Sequence, residues 1–451
     1  MFGPGESSVV VECAGQGTCT VIHSIVTSLV LFVVLLTGFA YTTVLERRFL
    51  AFLQARVGPN RAGPYGLLQP IADGIKLIFK EDVTPARAEK VIFWAAPVIK
   101  TVPALIVLAV VPFGPEIAVP WFDGKWYRLS QGLIDVNVGV LWLLGITSIG
   151  IYGVVLAGWS SNNKYAMLGG LRSSAQMISY ELSTGLAMVV PVMLAGSMSV
   201  GDIIDAQKDA PILGWFVFQN PVAATIMAIA LLAEVNRAPF DMPEAEQELT
   251  AGYHSEYSGM KFAMFYLAEY IGMIAVSVIG AALYFGGYHF VYVDEAPLLG
   301  PLVFALKVVL LLLVMIWVRG TLPRIRYDRL MAFGWKVMLP LALVAVAWTA
   351  VAVVLEVEMG GSARVIMAVI AWVLFLGGAA YWLGRVGRKP GAFSAPRVEV
   401  VSLSGAGGAG TRAFTLLDRM LGVPVAVARA ISGRESGQDN GPPRSGGRVS
   451  G

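Results

Sequence analysis

The sequence predicts an all-α integral membrane protein of about nine transmembrane helices, with one amphipathic helix lying along the cytoplasmic-side interface. Three observations lead there. Apolar residues make up 56% of the 451-residue chain against 14% charged, and the mean hydropathy is +0.69, too apolar for a water-soluble globule. Apolar runs long enough to cross a bilayer, which takes about 20 residues, recur along most of the chain. The basic residues between those runs concentrate in alternate connections.

Residues 1–22 are polar, lack the basic stretch that opens a signal peptide, and read as an external N-terminal segment rather than a cleaved leader. Spans are expected near 24–45, 92–112, 136–158, 174–196, 212–235, 262–286, 300–318, 336–356 and 364–384, within a transmembrane domain over 23–386. Gln219, Asn220 and Pro221 interrupt the fifth. Between the first two spans the Gly/Pro-rich hinge Gly58–Pro64 leads into Leu67–Lys80. There Leu67, Leu68, Ile71, Ile75, Ile78 and Phe79 recur at helical spacing, which gives the interfacial helix. That connection holds Arg47, Arg48, Arg56, Arg61, Lys76, Lys80, Arg87 and Lys90, and the one after the seventh span holds Arg319, Arg324, Arg326 and Arg329. Connections of the other parity hold only Lys125, Arg128 and Lys208. The bias puts the N-terminus outside and the C-terminus in the cytoplasm of a multi-pass plasma-membrane protein.

From 387 to 451 the composition turns to Gly, Ser, Pro and Arg, the mark of a flexible cytoplasmic tail. Gly405, Gly407 and Gly410 spell GxGxxG there, but too little chain remains for the further strands of a dinucleotide fold. No internal repeat announces a transporter.

Composition also excludes several chemistries. Cys13 and Cys19 fall short of the four thiolates an iron–sulfur cluster usually takes. His23, His254 and His289 do not supply facing pairs within helices for a haem. No metal site is expected, and a net charge of +3 makes no case for nucleic acid. Electrons for any redox role must sit in a partner subunit or a diffusible carrier.

Three constellations carry chemistry. Glu46 and Arg47 adjoin the hinge, and Asp73 lies among the apolar turns of the interfacial helix; a lateral helix of this kind can wall a portal for an amphipathic molecule. Glu234, Arg237, Asp241, Glu244, Glu246, Glu248, His254 and Glu256 follow the fifth span, interleaved with Pro239, Phe240, Met242, Pro243 and Tyr253. That mixture suggests a folded loop whose packed carboxylates hold exchangeable protons, with Arg237 balancing part of the charge. Within the spans, Glu181 is expected roughly 12 Å and Glu269 roughly 10 Å from the inner ends of their helices. Ionisable groups there cost about 3 kcal/mol and normally face a paired or aqueous interior. Lys100 is a candidate partner, whereas Lys307 reads as a snorkelling side chain near the outer face.

The runs Glu46–Asp82, Arg172–Ser183, Glu234–Tyr270 and Arg319–Leu330 closely resemble, in order, the quinone-site membrane subunit of bacterial proton-translocating NADH:quinone oxidoreductase, complex I. The likeness covers about residues 24–356. It implies a subunit with no complete active site of its own, one that walls a chamber for a membrane quinone and couples quinone reduction to proton translocation. NADH, FMN and the iron–sulfur clusters would belong to other complex I subunits, and none would be bound by this chain alone. By the same resemblance Thr43, Glu46, Arg47, Arg56, Asp73, Phe240 and Tyr266 line or support the quinone site. Position 266 is often Phe in that family, so Tyr266 adds a hydroxyl. Glu181, Glu234, Asp241, Glu244, Glu246, Glu248 and Glu269 fall on the proton pathway, with Arg237 and Arg319 as charge partners. The ninth span occurs in only part of the family, and the tail has no counterpart in its core. The matching subunit of a membrane-bound hydrogenase-type complex is the alternative, and a secondary ion antiporter is the alternative of another class.

Cys13 and Cys19 both fall in the external segment, where oxidation is permitted, and Gly15 and Gly17 allow a tight loop between them. The expectation is a disulfide. Under non-reducing conditions neither thiol should take up an alkylating reagent; mass mapping that finds both alkylated ends the idea.

Overall fold

The computed structural model describes residues 10–12, 17–120, 126–208, 213–242, 252–290 and 296–387. Among these, eight helices are long and apolar enough to cross a membrane, and a further apolar helix is shorter. The first, α1 (Gly17–Leu53), runs 37 residues. At about 55 Å it overshoots an apolar core of about 30 Å, and the overshoot carries Glu46 and Arg47. The interfacial helix α2 (Gln69–Ile78) comes next, starting two residues later than its apolar repeat because Pro70 sits in its first turn. α3 (Lys90–Ile106) tightens into a 3-10 turn over Val107–Val110.

α4 (Gly139–Ser160) and α5 (Lys164–Ala195) form a hairpin closed by small residues. A Cβ on Gly158 would stand 2.8 Å from the Ala166 carbonyl and 3.2 Å from the Gly170 Cα, so only glycine permits this approach. α5 begins well before the expected Ser173, because Asn163 caps it by accepting from the Tyr165 N–H. Its first turns are too polar to register as a span. Glu181 therefore lies about 25 Å along α5, near the middle, rather than one third of the way in.

Short α6 (Val200–Asp205) and α7 (Phe216–Gln219) lead to α8 (Pro221–Glu234). The fifth span is thus a broken helix, and α8 covers only about 21 Å. Pro221 has no N–H to continue a helix through this point. Asn220 satisfies the break: its side chain accepts from Ala223 N–H at 3.0 Å and donates to the Ala345 carbonyl at 3.2 Å and the Thr349 hydroxyl at 2.9 Å. The remaining elements are α9 (Gly259–Tyr284), α10 (Leu299–Thr321), α11 (Tyr327–Phe333), α12 (Leu339–Met359) and α13 (Gly361–Gly387). A π turn at Gly334–Met338 joins α11 to α12. The helices belong to one compact unit, Met1–Trp382. The predicted tail from 388 on lies outside the described residues.

The core is aromatic and fully buried at Tyr180, Tyr284, Phe93, Phe216, Phe265 and Phe304. Large apolar residues on α1, α10, α12 and α13 are instead exposed, among them Val30, Leu310, Val344 and Val369, as expected of surfaces facing lipid. At the end opposite α2, strands β1 (Val10–Glu12), β2 (Ile117–Pro120) and β3 (Trp126–Leu129) form a small sheet in the order β1-β3-β2, with β3 parallel to β1 and antiparallel to β2. Buried Cys19 packs with Tyr127 beneath it, while Cys13 lies outside the described residues.

Lys307 does not snorkel. Its ammonium donates to the carbonyls of Phe285, Gly287 and His289, each at 2.8 Å, and lies 4.5 Å from the centre of the Trp215 ring. The side chain turns inward because α9 ends at Tyr284 and leaves carbonyls that only a long cation can reach.

Candidate functional site

α1, α9, α10 and the connection after α8 meet at a buried knot of charge. Glu46, 2% exposed, projects from the overshoot of α1. Its Oε1 accepts from Arg319 at the end of α10 and lies 3.5 Å from Arg237 Nη1. Arg237 also pairs with Glu269 of α9, Nε to Oε1 at 2.9 Å. Its guanidinium stacks 4.4 Å from the centre of the Tyr270 ring, and Tyr270 shares a 2.8 Å hydroxyl hydrogen bond with Tyr266. Two arginines and two carboxylates thus neutralise one another where an unpaired charge would be costly.

The portal residues stand beside this knot. Arg47 of α1 pairs with Asp73 of α2 at 2.7 Å, and Gln69 donates to the other Asp73 oxygen at 3.1 Å. Arg47 also faces the Tyr266 hydroxyl, which links portal to knot. Thr43, one turn before Glu46, is buried with its hydroxyl bonded to the Ala40 carbonyl at 2.7 Å. Arg56 is exposed in the turn after α1 and joins neither charge group. Phe240 is buried against Tyr180, 5.6 Å between ring centres, so it braces the loop from the α5 side. Buried Gln176 holds that loop as well, donating to the carbonyls of Ala233 and Phe240 at 2.9 and 2.7 Å.

On the other side of Glu269 lies a cavity lined by Lys100, Thr147, Glu234, Asp241 and His254 together with Glu269 itself. Lys100 faces both Glu234 and Glu269, the pairing its sequence position suggested. Glu181 is next in line: it acts electrostatically on Glu234 and accepts a hydrogen bond from Ser148, the neighbour of Thr147. Glu244, Glu246 and Glu248 lie outside the described residues. Arg237, expected to balance the acidic loop, spends its charge on Glu46 and Glu269 instead.

Sequence reasoning missed Tyr270 and Gln176. Tyr270 stands one residue after Glu269 and reads as an ordinary apolar position. A buried amide that bonds only carbonyls leaves no pattern in the chain.

His254 is placed by glycine: a Cβ on Gly169 would stand 2.5 Å from the Gly252 Cα, so α5 and the loop touch backbone to backbone. The imidazole lies 3.9 Å from the Tyr253 ring and edge-on to Phe262 and Phe265. Burial, with the Lys100 ammonium adding to it, pushes its pKa down to about 3.

A family model described as NADH dehydrogenase matches residues 26–350. The chain is 51% identical over 324 residues to a Syntrophobacter fumaroxidans protein named as an H-type subunit of NADH-quinone oxidoreductase, covering 71% of this chain and 93% of that protein. It is 49% identical over 334 residues to a Geobacter sulfurreducens protein of the same name, covering 73% and 94%. The Rhodothermus marinus "NADH-quinone oxidoreductase subunit 8" is 46% identical over 346 residues, covering 73% and 97%.

The neutral imidazole has a measurable consequence. A histidine held below its ordinary pKa must take up its proton on unfolding, so its contribution to stability is full above about pH 6.5 and falls as the pH drops toward 3. Between pH 7 and pH 5 the protein should lose about 2 kcal/mol through this group, and His254→Gln should remove that part of the loss. Thermal unfolding in detergent across this range checks it; identical pH profiles for both proteins contradict the buried neutral state.

Proposed function

The chain belongs to the NADH dehydrogenase family, and on that premise we propose that it works as the membrane subunit of a proton-translocating NADH:quinone oxidoreductase, walling the quinone chamber and passing the energy of reduction to proton movement. The observation that carries this reading is the shared position of Arg237, bound on one side to Glu46 beside the portal and on the other to Glu269 beside the acidic cavity.

Quinone reduction consumes two electrons and two protons. The electrons come from partner subunits that hold FMN and iron–sulfur clusters; two cysteines do not fit a cluster in this chain. A quinone head group at the portal would meet Arg47, Asp73 and the Tyr266 hydroxyl. As negative charge develops there, the cations that it attracts are Arg47 and, through the Tyr266–Tyr270 hydroxyl pair, Arg237. Arg237 then shifts toward Glu46 and away from Glu269. A buried carboxylate that loses its counter-ion takes up a proton. Glu269 would draw that proton from the cavity, where Asp241 and Glu234 supply it and Lys100 balances the remaining charge. Glu181 extends the chain of carboxylates toward the middle of the bundle, with Ser148 as its hydroxyl partner.

In this reading the α2 side faces the cytoplasm, as the basic connections require. The named relatives are subunits of NADH-quinone oxidoreductase, which favours this function over the hydrogenase-type and antiporter alternatives.

The test uses the assembled complex in proteoliposomes. Arg47→Ala should lower quinone reduction about tenfold, the loss of one charge-assisted hydrogen bond, while reduction of hydrophilic acceptors by the peripheral subunits survives. Glu269→Gln and Glu181→Gln keep size and hydrogen bonding but cannot carry a proton, so both should depress coupled turnover and proton uptake. Amide variants that turn over and pump like the parent remove these carboxylates from the path.

A further inference from the structure

We propose that Lys261, at the start of α9, is a positioning residue for the quinone portal: by clamping Asp82 and Thr84 it fixes where α2, and with it Asp73, stands against Arg47. The inference rests on the portal reading above and adds a residue that the reading does not use.

The argument begins with how weakly α2 is held. None of its residues is buried in this chain. Ile71, Ile75, Ile78 and the following Phe79 point away from the bundle, 51% to 84% exposed. Burying that face in a bilayer interface sets the depth and rotation of the helix but leaves it free to slide in the membrane plane. One side-chain tie holds its middle, the Arg47–Asp73 pair, and both partners are partly exposed, so this contact alone is worth little. A ten-residue helix of this kind is marginal by itself. Its pose therefore depends on how its ends are anchored.

The C-terminal anchor is built around α9. Val83 N–H donates to the Ser258 hydroxyl at 2.8 Å. Lys261 reaches the Thr84 hydroxyl at 2.9 Å and Asp82 Oδ1 at 3.1 Å, with its ammonium 4.1 Å from the centre of the Trp94 ring and 5.0 Å from that of Phe93. The Lys261 side chain is 4% exposed, against 42% for Asp82. A buried ammonium that loses its carboxylate is left uncompensated, so the socket resists opening in a way the exposed Arg47 pair does not. Asp82 is the fourth residue after Ile78, so no more than about 14 Å of chain separates the socket from α2. Lys261 also begins the helix that carries Tyr266 and Glu269. One clamp thereby ties the portal helix to the helix of the charge knot and sets the spacing between them.

Two variants of the full complex test this. Lys261→Met keeps the length of the stem and removes the charge; Asp82→Asn acts on the half-exposed partner, where folding tolerates an amide. Amide hydrogen exchange over Gln69–Ile78 should quicken in both, with exchange in α5 unchanged. The KM for a short-chain soluble quinone should rise roughly three- to tenfold with kcat little altered. Lys261→Arg should restore both. Unchanged exchange over α2 in assembled complex overturns the clamp, and Asp82→Asn decides alone if the Met variant does not assemble. Quickened exchange with an unmoved KM overturns the positioning role and the portal reading beneath it, while leaving the mechanical tie in place.

Discussion

A single guanidinium shared between two carboxylates is the constraint around which the rest of this structure is organised. Arg237 is buried, and Glu46 and Glu269 meet it from helices that are far apart in sequence. Taking such ions out of water costs several kcal/mol each, and their mutual attraction offsets that cost only when the geometry is held closely. Arg319 supplies the second cation that leaves Glu46 oversupplied with positive charge, so that Arg237 is not committed to it alone. An arginine with two acceptors of similar depth has two arrangements of nearly equal energy. A small change of charge nearby is then enough to choose between them.

The scaffold makes that arrangement rigid where it must be. α1 overshoots the bilayer so that Glu46 can reach the knot from beyond the apolar core. α8 ends at Glu234, and the freed chain turns back on itself to place Arg237; Gln176 takes up two of the carbonyls released there. Tyr180 bonds the Leu330 carbonyl at 3.1 Å and packs on Phe240, so α5 braces both the loop and α11. Each contact satisfies a backbone group that water cannot reach, which is the first demand on irregular chain at membrane depth.

How much of this the chain announced follows from the range of each interaction. Spans and the interfacial helix are local properties of apolar runs, and all nine expected runs are helical, with α8 short because Pro221 and Asn220 break the fifth. The carboxylates within spans were visible because such groups are rare there. Their partners were not: Glu46 and Arg319 are separated by 273 residues, and no periodicity reports on such a pair. Lys307 misled for the same reason. Its position along α10 suggested a reach toward water, but the carbonyls that claim it belong to the end of a different helix. α5 was located late because its first turns are held by a cap and by glycine contacts rather than by hydropathy.

The two ends of the bundle solve the same problem by different chemistry. At the end of the small sheet, the broken backbone is satisfied by neutral or fully saturated donors: Asn220 across the α7–α8 break, Lys307 with three carbonyls, and Gln207 donating to Ala282 and accepting from Phe216 and Gly286. Such bonds have no alternative partner within reach and hold that end in one arrangement. At the α2 end the ties are ion pairs, Arg47 with Asp73, Arg237 with Glu46 and Glu269, Lys261 with Asp82. Ion pairs respond to charge placed beside them, whereas amide–carbonyl bonds do so only weakly. A membrane protein that must register the charge state of a bound molecule needs one end of each kind, a fixed frame and a field-sensitive face. Here the division follows the membrane normal, with the sensitive groups confined to the end where α2 opens the bundle to the bilayer.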